Sequence, residues 1–356
     1  MKKVYFEVMR IIAMCLVIFN HLPGYGLYQI STGWKQFIYM TLTMFTRINV
    51  PLFFMISGAL LLKKQEKMEK ILRKRFLRFL ILIFIFEAGM FFCYKINATY
   101  NNLQYEFSIK RFLNGFMAGN LDGVQSYWYL YAYLGILLML PFMQRIANGL
   151  TKVEVSVLLI GHFLFCSFLP IMNLVLSSYK LDTICLSNDF SVPFIVVKAF
   201  FYPIIGYYLE YFIDISKFRK RHIIRMIILL IVGILISNCC TYIEKIQIGS
   251  YTQNYVELFD YMSAIIIFLL IKYIVCNYEN IFIKNARKIC ILGSLTLGIY
   301  LLDPFLKLFL YYKYEMFMIQ KFPVLVVSIG WVLISMFLGA TITAIIRKLP
   351  GLKRIL

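Results

Sequence analysis

Acid is scarce in this sequence. Seventeen Asp and Glu stand against 37 Lys and Arg, and there are only three histidines, His21, His162 and His222. No grouping of these residues has metal-ligand spacing, and no metal is expected. Eight cysteines include no CxxC pair. Most of them lie inside apolar runs, where cysteine acts as a small hydrophobe and not as half of a disulfide framework. Low-complexity linkers are missing, so the chain reads as a single domain over residues 1–356. The first apolar run ends in Asn20-His21-Leu22-Pro23-Gly24, without the small-x-small site of a cleaved signal peptide.

What the chain has in abundance is apolar length. It is 61% hydrophobic with a mean hydropathy of +0.77, where a soluble domain is about 45–50% apolar. Apolar runs of roughly 20 residues recur throughout, which predicts an all-α polytopic membrane protein of about ten transmembrane helices. The predicted spans are 4–22, 36–62, 77–94, 126–146, 153–173, 193–213, 223–243, 256–276, 290–310 and 323–346. On a soluble protein the net charge of +20 would point to nucleic acid. Here the charge sits in alternate loops, so no nucleic-acid partner is expected. With the N-terminus inside, 25 Lys and Arg fall in inner segments and 8 in outer ones. The positive-inside rule then puts both termini in the cytoplasm. The partner is the lipid bilayer, and the expected location is the inner or plasma membrane, multi-pass.

Ionisable groups inside a span are costly and point to function. The first span, EVMRIIAMCLVIFNH, carries Glu7, Arg10 and His21. Arg10 and His21 are eleven residues apart, three helical turns plus roughly 20°, so they share a face about 16 Å apart along the axis. Glu7 is one turn before Arg10 and is placed to pair with it. Snorkelling of Arg10 and an interfacial His21 form the competing reading. In the second span, Arg47 lies roughly 22 Å above Leu62, near the depth of His21. Asn49, Pro51 and Ser57-Gly58 beside it suggest a broken helix lining a polar cavity, with close helix packing as the alternative for Ser57-Gly58. The loop Lys63–Arg78 holds eight basic residues against two acidic ones. Its lysines suit anionic lipid. Arg73, Arg75 and Arg78 enter the third span, and guanidiniums there suit a phosphate-bearing ligand.

Taken together, these motifs resemble the acyltransferase 3 family of membrane acyltransferases. Arg10 and His21 match its opening pattern of a basic residue, ten residues and a histidine. Thr46-Arg47 and Val50-Pro51-Leu52-Phe53-Phe54-Met55-Ile56-Ser57-Gly58 match a second motif, and Arg75 with Arg78 a third. Trp128-Tyr129-Leu130, Leu140-Pro141-Phe142 and the run from Ser294 to Pro304 follow in order, so the resemblance covers essentially the whole chain. One position departs from the pattern: where the family usually has His-Pro, this chain has Asp303-Pro304. A carboxylate there does not replace an imidazole base. Asp303 could instead orient a partner histidine or bind acceptor hydroxyls.

The resemblance implies transfer of an acyl group, usually acetyl, from cytoplasmic acyl-CoA to a hydroxyl of a cell-surface glycan or lipid-linked glycan precursor. On that reading Arg73, Arg75 and Arg78 meet the CoA phosphates, and Arg10 holds CoA or shapes the channel with Glu7. His21 serves as general base, or as a covalent acyl carrier. Arg47 stabilises the oxyanion or orients the acceptor. Glu87, midway through the third span, either lines the channel or balances Arg47. Trp128 and Tyr127, Tyr129, Tyr131 and Tyr133 sit at an outer boundary, where most of them form an aromatic belt, and such rings also stack on sugars. His162 reads as a packed histidine, His222 as a solvated loop residue, and Asp260 and Lys198 as interfacial charges. The rival readings are a transporter or flippase of a lipid-linked sugar or small polar solute and a non-catalytic relative.

Overall fold

A computed structural model describes residues 3–187, 197–251 and 255–348. Among these residues the regular structure is helical, with no strand. In chain order the main helices are α1 (Val4–Asn20), α2 (Gly33–Thr46), α3 (Asn49–Leu61), α4 (Leu77–Tyr100), α5 (Ile109–Ala118), α6 (Trp128–Gly149), α7 (Lys152–Phe163), α8 (Lys198–Tyr211), α9 (Lys220–Ile248), α10 (Asp260–Asn277), α11 (Ala286–Leu306) and α12 (Val324–Ile346). Among the described residues, eight helical segments are long and apolar enough to cross a membrane, and nine if the bent pair Val4–Asn20 and Pro23–Ile30 is one span. This is the all-α polytopic membrane architecture expected. The difference from ten lies at 193–213: residues 193–196 are outside the described residues, and α8 has 14 residues.

Local sequence explains the interruptions. Pro23 cannot continue a helix, and the chain turns by 75° between Val4–Asn20 and Pro23–Ile30. Thr151 and Glu154 form a capping box that starts α7. Leu72–Phe76 is a π-helical turn leading into α4. Such turns insert a residue into the helical register and are frequent at functional sites.

The chain divides into two compact units. The first comprises Met1–Gln65 and Phe142–Cys290. Its tightest packing joins α3 and α8. A Cβ on Gly58 would come within 1.9 Å of the Pro203 carbonyl oxygen, and one on Gly206 within 2.1 Å of the Met55 carbonyl oxygen. Close packing is therefore what Gly58 serves. Two polar layers lie at opposite ends of α8 and α10. Lys198 and Glu210 are twelve residues apart, as are Asp260 and Lys272, or about 18 Å along each axis. At one end Glu210 pairs with Lys3, accepts from Tyr5 Oη at 2.7 Å and lies 3.1 Å from Lys272 Nζ.

The second unit comprises Glu66–Pro141 and Ile291–Leu356. Here α12 buries Val327, Trp331, Ser335, Gly339 and Thr343, four residues apart throughout and so along one stripe. Gly339 packs on Ile299 and Thr343 on Gly298. The loop 95–125 is ordered around α5. Ser108 caps its start by accepting from Arg111 N, and Gly119 ends it in the left-handed region at φ 63°.

Candidate functional site

His21 and Arg47 both sit where a helix is interrupted. His21 is the residue after α1, at the start of the 75° bend, and its N–H donates to Ile18 O. Arg47 sits between α2 and α3. The two interruptions are tied together. Arg47 Nη1 donates to Tyr25 Oη at 2.7 Å, and Thr43 Oγ1 donates to the Tyr25 carbonyl at 2.7 Å. The sequence expectation of a break rested on Asn49, Pro51 and Ser57-Gly58, but these lie within α3; the interruption is instead at Arg47 and Ile48, inside the single span Gly33–Leu61.

Arg47 belongs to an ionic cluster that the sequence reading did not assemble. Its guanidinium pairs with Glu257 and lies 3.4 Å from Asp260 Oδ2. Glu257 also takes Lys198. Asp260 is 6% exposed and Arg47 is 13% exposed at the side chain. A buried charge is tolerated only when paired, and Arg47 with Asp260 forms the buried part of this cluster, so Asp260 is not interfacial; Lys198 and Glu257 stay 45% and 35% exposed at the side chain, in keeping with an interfacial Lys198. Asp260 at the start of an apolar run was the signal for it. Arg47 and Lys198 were each conspicuous too, but nothing along the chain pairs Arg47 with Asp260, 213 residues away.

Glu7 and Arg10 pair as their spacing predicts. Arg10 Nη1 donates to both Glu7 oxygens, at 2.9 and 3.0 Å, and Glu7 is 4% exposed. His162 is a packed histidine: its ring stacks on Phe201 at 4.0 Å and meets Tyr261 edge-on. His222 is part of a helix start, where its Nδ1 accepts from Arg219 N at 2.9 Å.

In the second unit, Lys70, Lys74, Arg75 and Arg78 line a cavity of about 370 Å³. Its remaining wall is Phe79, Tyr133, Leu137 and Leu297. Four cations thus face a strip of aromatic and aliphatic surface. Arg75 is held by Glu66 through a two-point fork, Nε to Oε2 at 2.9 Å and Nη2 to Oε1 at 3.1 Å. Burial pushes the Glu66 carboxyl up, but hydrogen bonds from Lys70 and Arg75 outweigh it and hold the group below the usual carboxylate range. Arg73 is exposed, paired with Glu69, and is not in the lining. Arg347, absent from the sequence reading, donates to Ser294 Oγ and O. Burial and then the charge of Arg78 push its guanidinium down.

Glu87 is 1% exposed, and Tyr131 Oη lies 3.0 Å from both its carboxyl oxygens. The same hydroxyl is 2.7 Å from the Phe116 carbonyl oxygen, on α5. Asp303 is 1% exposed and accepts from Ser335 Oγ at 3.0 Å. Trp128 is 51% exposed, whereas its neighbour Tyr127 is fully buried with its hydroxyl on the Leu301 carbonyl. The tyrosines from 127 to 133 are therefore not all of one belt. Among the described residues no group of three or more His, Cys, Asp or Glu could hold a metal ion.

The candidate residues divide between the units: Glu7, Arg10, His21 and Arg47 in the first, and Arg73, Arg75, Arg78, Glu87, Trp128 and Asp303 in the second. No curated protein and no solved structure matches the chain. A family model described as an acyltransferase domain, that of the acyltransferase 3 family, matches residues 3–348. With nearly its whole length covered, the chain belongs to that family and is a multi-pass membrane acyltransferase.

Proposed function

We propose that this protein transfers an acyl group, acetyl in the expected case, from cytoplasmic acyl-CoA to a hydroxyl of a cell-surface glycan or its lipid-linked precursor. The proposal places both termini in the cytoplasm and the protein in the plasma membrane. The observation that carries it is the basic cavity. Lys70, Lys74, Arg75 and Arg78 offer charge-assisted donors to phosphate oxygens. The apolar wall of Tyr133, Leu137 and Leu297 suits the methylene and methyl groups of the thin pantetheine arm of CoA. Arg75 becomes a phosphate ligand by sharing or exchanging its Glu66 partner.

His21 is the proposed general base. It takes the proton of the acceptor hydroxyl as the oxygen attacks the thioester carbonyl. The C–S bond breaks, and the CoA sulfur leaves with the proton returned through His21. Arg47 is already committed to Glu257, Asp260 and Tyr25. Its proposed role is accordingly to hold the Tyr25 hydroxyl, which accepts from Arg47 and keeps its own proton to donate to the developing oxyanion.

Purified protein in liposomes, given labelled acetyl-CoA and cell-envelope glycan, tests the reading. His21→Ala is expected to abolish label transfer, and Arg75→Ala with Arg78→Ala to weaken acyl-CoA binding at least tenfold. Full turnover in the histidine variant, or unchanged acyl-CoA affinity in the double variant, would overturn the assignment. Mass spectrometry of surface glycans with and without the gene identifies the acyl group and the acceptor.

A further inference from the structure

The loop between the third and fourth spans folds into a polar cleft that the chemistry above does not use. Its volume is about 520 Å³, within the range of roughly 300–1,000 Å³ typical of small-molecule sites. Its lining includes Lys110, Arg111 and Asn114 of α5 together with Glu106, Asn120 and Asp122. The floor is built to hold its shape. Asp122 Oδ2 accepts from Arg111 Nη2 at 2.7 Å and from Tyr105 Oη at 3.1 Å. The Tyr105 ring lies 4.7 Å from the Arg111 guanidinium. Burial, then the charge of Asp122, push the Tyr105 hydroxyl up to about 12, so it stays a donor. Gly115 lets the chain close on α5, since a Cβ there would meet Leu121 Cδ2 at 2.5 Å. Gly119 and Gly123 take left-handed backbone at φ 63° and 76° to complete the turn.

We infer that this cleft is a sugar subsite for the acceptor glycan, an inference that rests on the acyl-transfer reading. The lining offers donors and acceptors in mixed order. Two carboxylates accept, a lysine donates, and the Asn114 and Asn120 amides do both. Neither amide side chain has a hydrogen-bond partner among the described residues. A phosphate or sulfate needs donors only, and Glu106 and Asp122 would oppose it. A sugar ring presents hydroxyls that each donate and accept, which is what such a lining satisfies. The charge count puts this loop on the face opposite the basic cavity, where the acceptor is expected. The cleft is also linked to the membrane-embedded part of its own unit, because Tyr131 joins the Phe116 carbonyl at the base of α5 to Glu87.

Saturation-transfer NMR on the full chain, in nanodiscs free of glycoside detergent, tests this with glucose, N-acetylglucosamine and glucuronic acid as probes. Wild-type protein is expected to transfer saturation to the ring protons of at least one of them. Asn114→Leu with Asn120→Leu, or Ala118→Trp to fill the cleft, is expected to reduce that signal at least threefold. All three positions are exposed, so the variants should keep the wild-type melting temperature. No transfer to any of the three sugars, or equal transfer in both variants, overturns the inference. So does displacement of the signal by millimolar inorganic phosphate, which marks an anion site. Acceptor-independent hydrolysis of acetyl-CoA, measured on the same samples, should be unchanged by the variants. Its absence in the wild type would count against the donor reading and leave the sugar signal to judge the cleft.

Discussion

Arg47 Nη1 donates to Tyr25 Oη across 2.7 Å, and this bond ties the broken second span to the bend that follows α1. It gives the tyrosine a polarised hydroxyl four residues after His21. Tyr25→Phe is expected to lower turnover by about 100-fold, as loss of one oxyanion donor does, with acyl-CoA affinity unchanged. Steady-state kinetics on purified protein read both quantities. Arg47→Ala should act differently: it leaves Asp260 buried without its guanidinium, a loss of about 3–5 kcal/mol, visible as a lower melting temperature. Unchanged turnover in Arg47→Ala would contradict the positioning role, and an unchanged melting temperature would contradict the buried pairing with Asp260.

Glu66 and Arg75 give the second prediction. The carboxylate competes with any phosphate for the Arg75 fork, so Glu66→Gln is expected to tighten acyl-CoA binding about three- to tenfold. Each tenfold step corresponds to about 1.4 kcal/mol. Isothermal titration measures it, and weaker binding in the variant would count against the cavity as the phosphate site. The pH dependence follows in sign. The folded Glu66 carboxyl titrates below its unfolded value of about 4.3. Its contribution to stability is therefore complete above that value and is lost as the pH falls through the folded one. Glu66→Gln should flatten the acid limb of a melting-temperature profile.

Gly58 and Gly135 contrast two glycines in transmembrane helices. A side chain at Gly58 would strike the Pro203 carbonyl, whereas a Cβ at Gly135 meets nothing within 4 Å. Gly58→Val should sharply reduce the yield of monodisperse protein in size-exclusion chromatography. Gly135→Ala should be neutral or stabilising by about 0.4–1 kcal/mol. Equal yields for the two variants would contradict the α3–α8 packing.

Glu87 and Tyr131 carry the last prediction. One phenolic hydrogen faces two carboxyl oxygens and the Phe116 carbonyl. Glu87→Gln adds donors to a site short of them and is expected to keep the melting temperature. Tyr131→Phe leaves a buried carboxyl and a carbonyl without their donor and should destabilise by about 1–3 kcal/mol. The reverse order of the two melting temperatures would show that the hydroxyl is not the donor that matters.

The sequence by itself determined the helical membrane class, the family and the local pairings. Apolar run length sets a helix in lipid, because every backbone group must be satisfied within its own segment. The Glu7–Arg10 contact follows from i,i+3 spacing, the capping box at Thr151 from its spacing to Glu154, and the bend after α1 from Pro23. Each needs only neighbours along the chain. What the tertiary structure decided are the partners brought from far along it. Arg47 meets Glu257 and Asp260, Glu87 meets Tyr131, Arg347 joins Ser294, and Tyr127 is buried while Trp128 beside it is exposed. Helical periodicity says which residues share a face, but not which face meets which. That is set by how closely helices approach, and here glycines such as Gly58 and Gly206 allow the contact that brings one helix's backbone against another's.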